Sequence, residues 1–182
     1  QIMIVQAIIF SVFPVVMYLI GKELHSRAFG IAFGLLISLR GLNAILSATW
    51  IDLASPKMMT TDFPTAIGIS LFLLFAVKWM KDSSKIHFSV LAGGALGLSM
   101  MLRTHVLFLA IAFIFFFSIV RLNIKRNIRL IVLFAFIFGM LTATTPWDLR
   151  NLRSNNTPMF YLYYSRIQTI LEERYKSNES SL

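Results

Sequence analysis

Six apolar runs separated by short polar links divide the first 145 residues. Residues 2–20 (IMIVQAIIFSVFPVVMYLI) and 28–48 (AFGIAFGLLISLRGLNAILSA) are each long enough to cross a bilayer as a helix. A third run covers 63–79. Two shorter runs, 87–102 and 105–120, meet at the step Arg103-Thr104-His105, and a sixth covers 130–145. The pattern predicts an all-α chain, a polytopic transmembrane bundle of about six spans over residues 1–145. Pro14 would kink the first helix, which membrane helices tolerate. Residues 146–182 change character. They are polar, with Phe160, Tyr161, Tyr163 and Tyr164 suited to a membrane interface, and read as an outer juxtamembrane segment. No internal repeat or low-complexity tract stands out.

Composition agrees with this class. Of all residues 57% are apolar and 14% charged, and mean hydropathy is +0.74, far from an ordinary soluble domain. With no cysteine, disulfides and thiolate metal sites are excluded. The net charge of +9 points to cytoplasmic loops of a membrane protein and not to nucleic acid. The first, third and fifth links hold Lys22, Arg27, Lys78, Lys81, Lys85, Arg121, Lys125, Arg126 and Arg129. The opposite loops hold only Lys57 and Arg103. Short links are where basic residues set orientation. The 49–62 loop, the 103–105 step and the segment from Pro146 onward are therefore expected on one, outward side. The chain starts at Gln1 within an apolar run, which reads as an internal fragment and not as a signal peptide.

Residues 50–64 (WIDLASPKMMTTDFP) concentrate the candidate chemistry on that side. They carry Asp52, Asp62 and Lys57 between two spans, punctuated by Pro56 and Pro64. Pro64 fits the first turn of a helix, and Thr60 or Asp62 can cap it. Asp62 is then either a helix cap at the interface or a carboxylate put to use, since one held at that depth is costly without a role or a partner. Arg103 follows a glycine-bearing span, with Gly93, Gly94 and Gly97. It either snorkels to the headgroups or clamps phosphate with its planar fork. His105 beside it has no second histidine or cysteine at ligand spacing, so no zinc site is assigned. Arg40, inside the second span, either pairs with Asp52 or Asp62 or touches a ligand. It shares a helix face with Asn43. Pro146 and Trp147 are expected to fix the chain's exit from the last span. Asp148 and Arg150 just beyond are either surface charges or part of the site. Motifs of soluble hydrolases, nucleotide-binding proteins and zinc proteases are missing. Two glycosylation sequons, at Asn155 and Asn178, fall on the expected outer side.

Three stretches carry a family resemblance. These are SPKMMTTDFPTAIGISLFLL, LAGGALGLSMMLRTH and TPWDLRN, with EERY after the last. Their order resembles integral-membrane glycosyltransferases of the C-type (GT-C) superfamily. In particular it resembles the glycosyltransferase family 39 branch of protein O-mannosyltransferases and lipid A aminoarabinose transferases. The likeness covers nearly all 182 residues and rests on short motifs in the right order. It implies transfer of one sugar, with inversion, from a polyprenyl-phosphate donor to a lipid, glycan or protein acceptor. The reaction would take place at the outer face of a bacterial inner membrane. The resemblance also places the family's catalytic base before Gln1.

Within that reading, Asp62 and then Asp52 are the candidate catalytic acids. Arg103, Lys57 and Arg150 are the candidate phosphate cations, with His105 and Arg40 as further substrate contacts. A carboxylate would deprotonate the acceptor hydroxyl or orient the sugar or a metal. The cofactor is not determined by the sequence, a divalent metal being compatible. The alternative is a polytopic transporter or lipid flippase. That would be expected to place its polar groups near the midplane, whereas here they gather at one face, Arg40 and Asn43 apart. A purely structural membrane subunit is a third possibility.

Overall fold

The computed structural model describes residues 2–47, 62–82, 84–103, 105–119 and 126–155, together with 164–165, 168–169 and 172. Six helices account for the main segments: α1 Ile2–Leu24, α2 Arg27–Ser47, α3 Asp62–Lys81, α4 His87–Leu102, α5 Val106–Ile119 and α6 Arg126–Asn155. Among the described residues there is no strand. Each helix overlies one of the six apolar runs. The chain forms two compact units, Gln1–Ala143 and Thr144–Leu182.

The end of the sixth run differs from expectation. Pro146, read with Trp147 as fixing the chain's exit from a span over 130–145, lies inside α6, which continues through Trp147 and Arg150 to Asn155. A proline forgoes one backbone donor and crowds the carbonyl four residues back. That loss need not end a helix when the following residues keep helical form, and Pro14 likewise lies inside α1.

In the first unit, α3 packs along α4, and α1 packs on α2 and α3. The contacts between α3 and α4 pair Asp62 with Arg103, Gly68 with Ser99, and Phe75 with Phe88. The residue numbers rise on one helix as they fall on the other, so the two run antiparallel. Helices α4 and α6 run parallel. The Ser89 hydroxyl donates to the Val132 carbonyl at 2.9 Å, Gly93 abuts Phe136, and Gly97 abuts Met140. Glycines decide this approach. A Cβ on Gly93 would land on the Phe136 carbonyl, and one on Gly139 would land on the Val90 carbonyl. Close backbone contact of this kind is how helices associate where hydrophobic burial offers no gain.

The core between these helices is aromatic. Phe72 of α3 meets Phe113 of α5 edge-on at 5.0 Å, and Phe113 meets Phe136 of α6 at 5.1 Å. Leu96, Phe72 and Phe136 are almost wholly buried. Ser26 begins α2 by accepting a bond from the Phe29 N–H at 3.2 Å, as a helix N-cap does.

The exterior is apolar as well. Leu35, Leu36 and Leu39 of α2, Phe108 and Phe115 of α5, and Phe134 and Phe138 of α6 are all exposed. Among the described residues two helices are long and apolar enough to cross a membrane, Asp62–Lys81 and Ile128–Ser154 within α6. Only 39% and 17% of their apolar windows are buried, so neither is enclosed like the core helix of a soluble protein. Helix α4 is apolar too but shorter.

Candidate functional site

Helix α3 begins at Asp62, with Pro64 in its first turn, where the missing N–H costs no helical bond. Phe63 beside it packs edge-on against Phe13 of α1 at 5.5 Å, and Thr65 is buried. These contacts hold the start of α3 in place. Helix α4 ends at Leu102. Arg103 then turns extended, at φ −143° and ψ 120°, while its N–H still donates to the Ser99 carbonyl. Its own carbonyl accepts from the Val106 N–H at 3.2 Å, which starts α5. Arg103 therefore stands at a fixed break between two helices.

At this end of the unit the Arg103 guanidinium forms an ion pair with the Asp62 carboxylate. Each charge suits its helix end. The acid lies at the positive end of the α3 dipole, and the base at the negative end of α4. The side chains are 55% and 36% exposed, so the pair faces outward from the packed helices and a solute can reach it. His105 is exposed two residues on, and its carbonyl accepts from the Phe108 N–H.

A second ion pair marks the far end of α3. There Lys81 donates to Glu23 at the close of α1, at 3.3 Å. Twenty helical residues separate the two ends by about 30 Å, the thickness of a bilayer's hydrocarbon core. Asp82 accepts from the Ser84 hydroxyl at 2.5 Å and pairs with Lys85 at 3.0 Å. The Ser84 hydroxyl bond, and Lys85 after it, hold the Asp82 carboxyl below its ordinary range.

No protein-family model, curated protein or solved structure matches this chain. The site is therefore read from its own geometry.

Of the residues singled out in the sequence, Asp62 and Arg103 are brought together, with His105 adjacent. Arg40 is exposed on α2; of the two acids that could pair with it, Asp62 is bonded to Arg103 and Asp52 lies outside the described residues. Asp52 and Lys57 lie outside the described residues. Arg150 belongs to the second unit, where its guanidinium lies over the Trp147 ring at 5.3 Å. It lines an open recess of about 520 Å³ with Pro146, Leu149, Arg153 and Ser154. Arg153 was not singled out in the sequence. Its spacing of three from Arg150 was the available signal. Among the described residues no group of three or more His, Asp or Glu side chains is placed to hold a metal ion. The chemistry on offer at the pair is a guanidinium with edge donors for an anion, oriented by a carboxylate that is itself half open to solute.

Proposed function

We propose that the chain is the membrane-embedded part of a glycosyltransferase of GT-C type. It transfers a sugar from a polyprenyl-phosphate donor to an acceptor at the outward membrane face. The observation that carries the reading is the Asp62–Arg103 pair at one end of α3 and α4, opposite the Lys- and Arg-rich links. The exposed apolar exterior and the two helices of spanning length support the membrane setting. In a membrane spanned by these helices, Arg103 would stand at headgroup depth, where a carrier phosphate lies.

In the proposed reaction the acceptor hydroxyl gives its proton to a general-base carboxylate as its oxygen bonds to the anomeric carbon. The bond from that carbon to the phosphate oxygen breaks, and the electron pair leaves on the phosphate. Arg103 stabilises this growing charge with preorganised donors. Asp62 acts as a positioning residue, because a carboxylate bonded to the guanidinium fixes its direction. The lipid-flippase alternative has less support. The described charges lie toward the ends of the helices, Arg40 within α2 apart, and the buried polar side chains among the described residues are Thr65, Ser70, Ser89, Ser99 and Thr144, none of them ionisable.

The test is single-sugar transfer by the intact protein in membranes, with the concentration of a defined polyprenyl-phosphate donor varied. Arg103→Lys keeps the charge and loses the fork. Loss of a charge-assisted contact is worth roughly 1.5–3 kcal/mol, so donor use should fall by at least about tenfold. Asp62→Asn should lower donor use with the amount of protein in the membrane unchanged. If both variants turn over like wild type, Arg103 and Asp62 are an interface anchor and its partner, and the phosphate site is elsewhere.

A further inference from the structure

The second unit carries a site other than the Asp62–Arg103 pair on which the proposed transfer rests. Arg150 and Arg153 lie one helical turn apart on the last part of α6 and line one recess with Pro146, Leu149 and Ser154. At about 100° per residue these side chains fall on a single face of the helix. Asp148 lies roughly 140–160° around from both arginines by the same geometry. Among the described residues neither arginine is paired with a carboxylate. Arg150 lies over the Trp147 ring at 5.3 Å, a cation–π contact that uses no N–H···O bond of the guanidinium. Leu149, Leu152 and Trp147 are exposed around it. Two convergent arginines amid apolar side chains and an indole match the chemistry of a phosphate attached to hydrocarbon, as distinct from a phosphate in bulk water.

We infer that the recess lined by Arg150 and Arg153 binds the phosphate of an anionic membrane lipid, with Trp147 and Leu149 against its glycerol and upper acyl region. This rests on the membrane setting of the proposed function and is independent of sugar transfer. Its readout is lipid binding and not turnover, so its failure is distinguishable from failure of the transferase reading.

The experiment uses the protein reconstituted in vesicles, with Trp50 and Trp79 replaced by phenylalanine so that Trp147 reports alone within this chain. Brominated phosphatidylglycerol is titrated against brominated phosphatidylcholine, and quenching gives the relative affinity at Trp147. The expected preference for the anionic lipid is roughly three- to tenfold, from two exposed guanidinium contacts. It should vanish in Arg150→Gln/Arg153→Gln and shrink as salt is raised. Retained phosphatidylglycerol counted by native mass spectrometry on protein with all its tryptophans guards against a tryptophan variant that does not fold. There, loss of retained lipid on the double arginine change supports the site. Equal quenching by the two lipids, or unchanged retention in the arginine variant, overturns it. Relief of quenching by inorganic phosphate at constant ionic strength would show a free-phosphate site and overturn the lipid assignment.

Discussion

Gly93 and Gly94 are neighbours on α4, yet an added methyl should act on them in opposite directions. A Cβ on Gly93 would land on the Phe136 carbonyl, with the carbonyl carbon at 2.9 Å and the Met140 nitrogen at 3.0 Å. All three are backbone atoms of α6, so no rotamer change relieves the clash and the helices must separate. A Cβ on Gly94 meets only the Gly139 carbonyl, at 3.8 Å, which is ordinary contact. Alanine in place of glycine inside a helix gains about 0.5–1 kcal/mol from reduced chain entropy. Overpacking a tight contact costs about 1–3 kcal/mol. Moving α6 away from α4 also forfeits dispersion along the remaining interface. Gly94→Ala should therefore be neutral to stabilising by up to about 1 kcal/mol, and Gly93→Ala destabilising by about 1–2 kcal/mol. The measurement is reversible unfolding in mixed micelles, followed by far-ultraviolet dichroism as a denaturing detergent is titrated. Gly93→Ala protein as stable as Gly94→Ala protein would refute the glycine-mediated packing of α4 on α6. The packing bears on the site, because Arg103 closes α4 and is aimed by where that helix lies.

Two further predictions concern the two ends of the bundle. With the proposed orientation, a single cysteine at His105 should react with an impermeant thiol reagent added to intact cells, and one at Ser84 should not; labelling in the reverse sense would invert the topology. At Asp82 the folded carboxyl titrates below its unfolded value because of the Ser84 hydroxyl and then Lys85. Its stabilising contribution is thus present above the unfolded value and lost as pH falls through the folded one. Asp82→Asn should flatten the fall in stability below about pH 4, and an unchanged acid limb in the same detergent titration would count against the Asp82 bonds to Ser84 and Lys85.

The helices were legible in the sequence because length and apolarity decide them locally. Each of the six apolar runs became a helix, and α3 begins at Asp62 with Pro64 in its first turn, as the turn residues predict. The extent of α6 was not legible. Proline reads as a stop when neighbours are ignored, but the residues after Pro146 keep helical form and the helix runs to Asn155. The recess beside Arg150 follows from that continuation, since only a helix brings Arg153 onto the same face. Counting basic residues put Asp62 and Arg103 on a common side. That argument says nothing of distance within a side. Contact between them depends on the antiparallel register of α3 on α4, set by Gly68 against Ser99 and by Phe75 against Phe88. Glu23 and Lys81 are likewise joined only because α1 lies along α3. Local composition therefore determined where the helices lie and which charges stand at their ends. The pairing of those charges was decided by packing between segments far apart in the chain, where a backbone contact a few tenths of an ångström closer or wider selects the register.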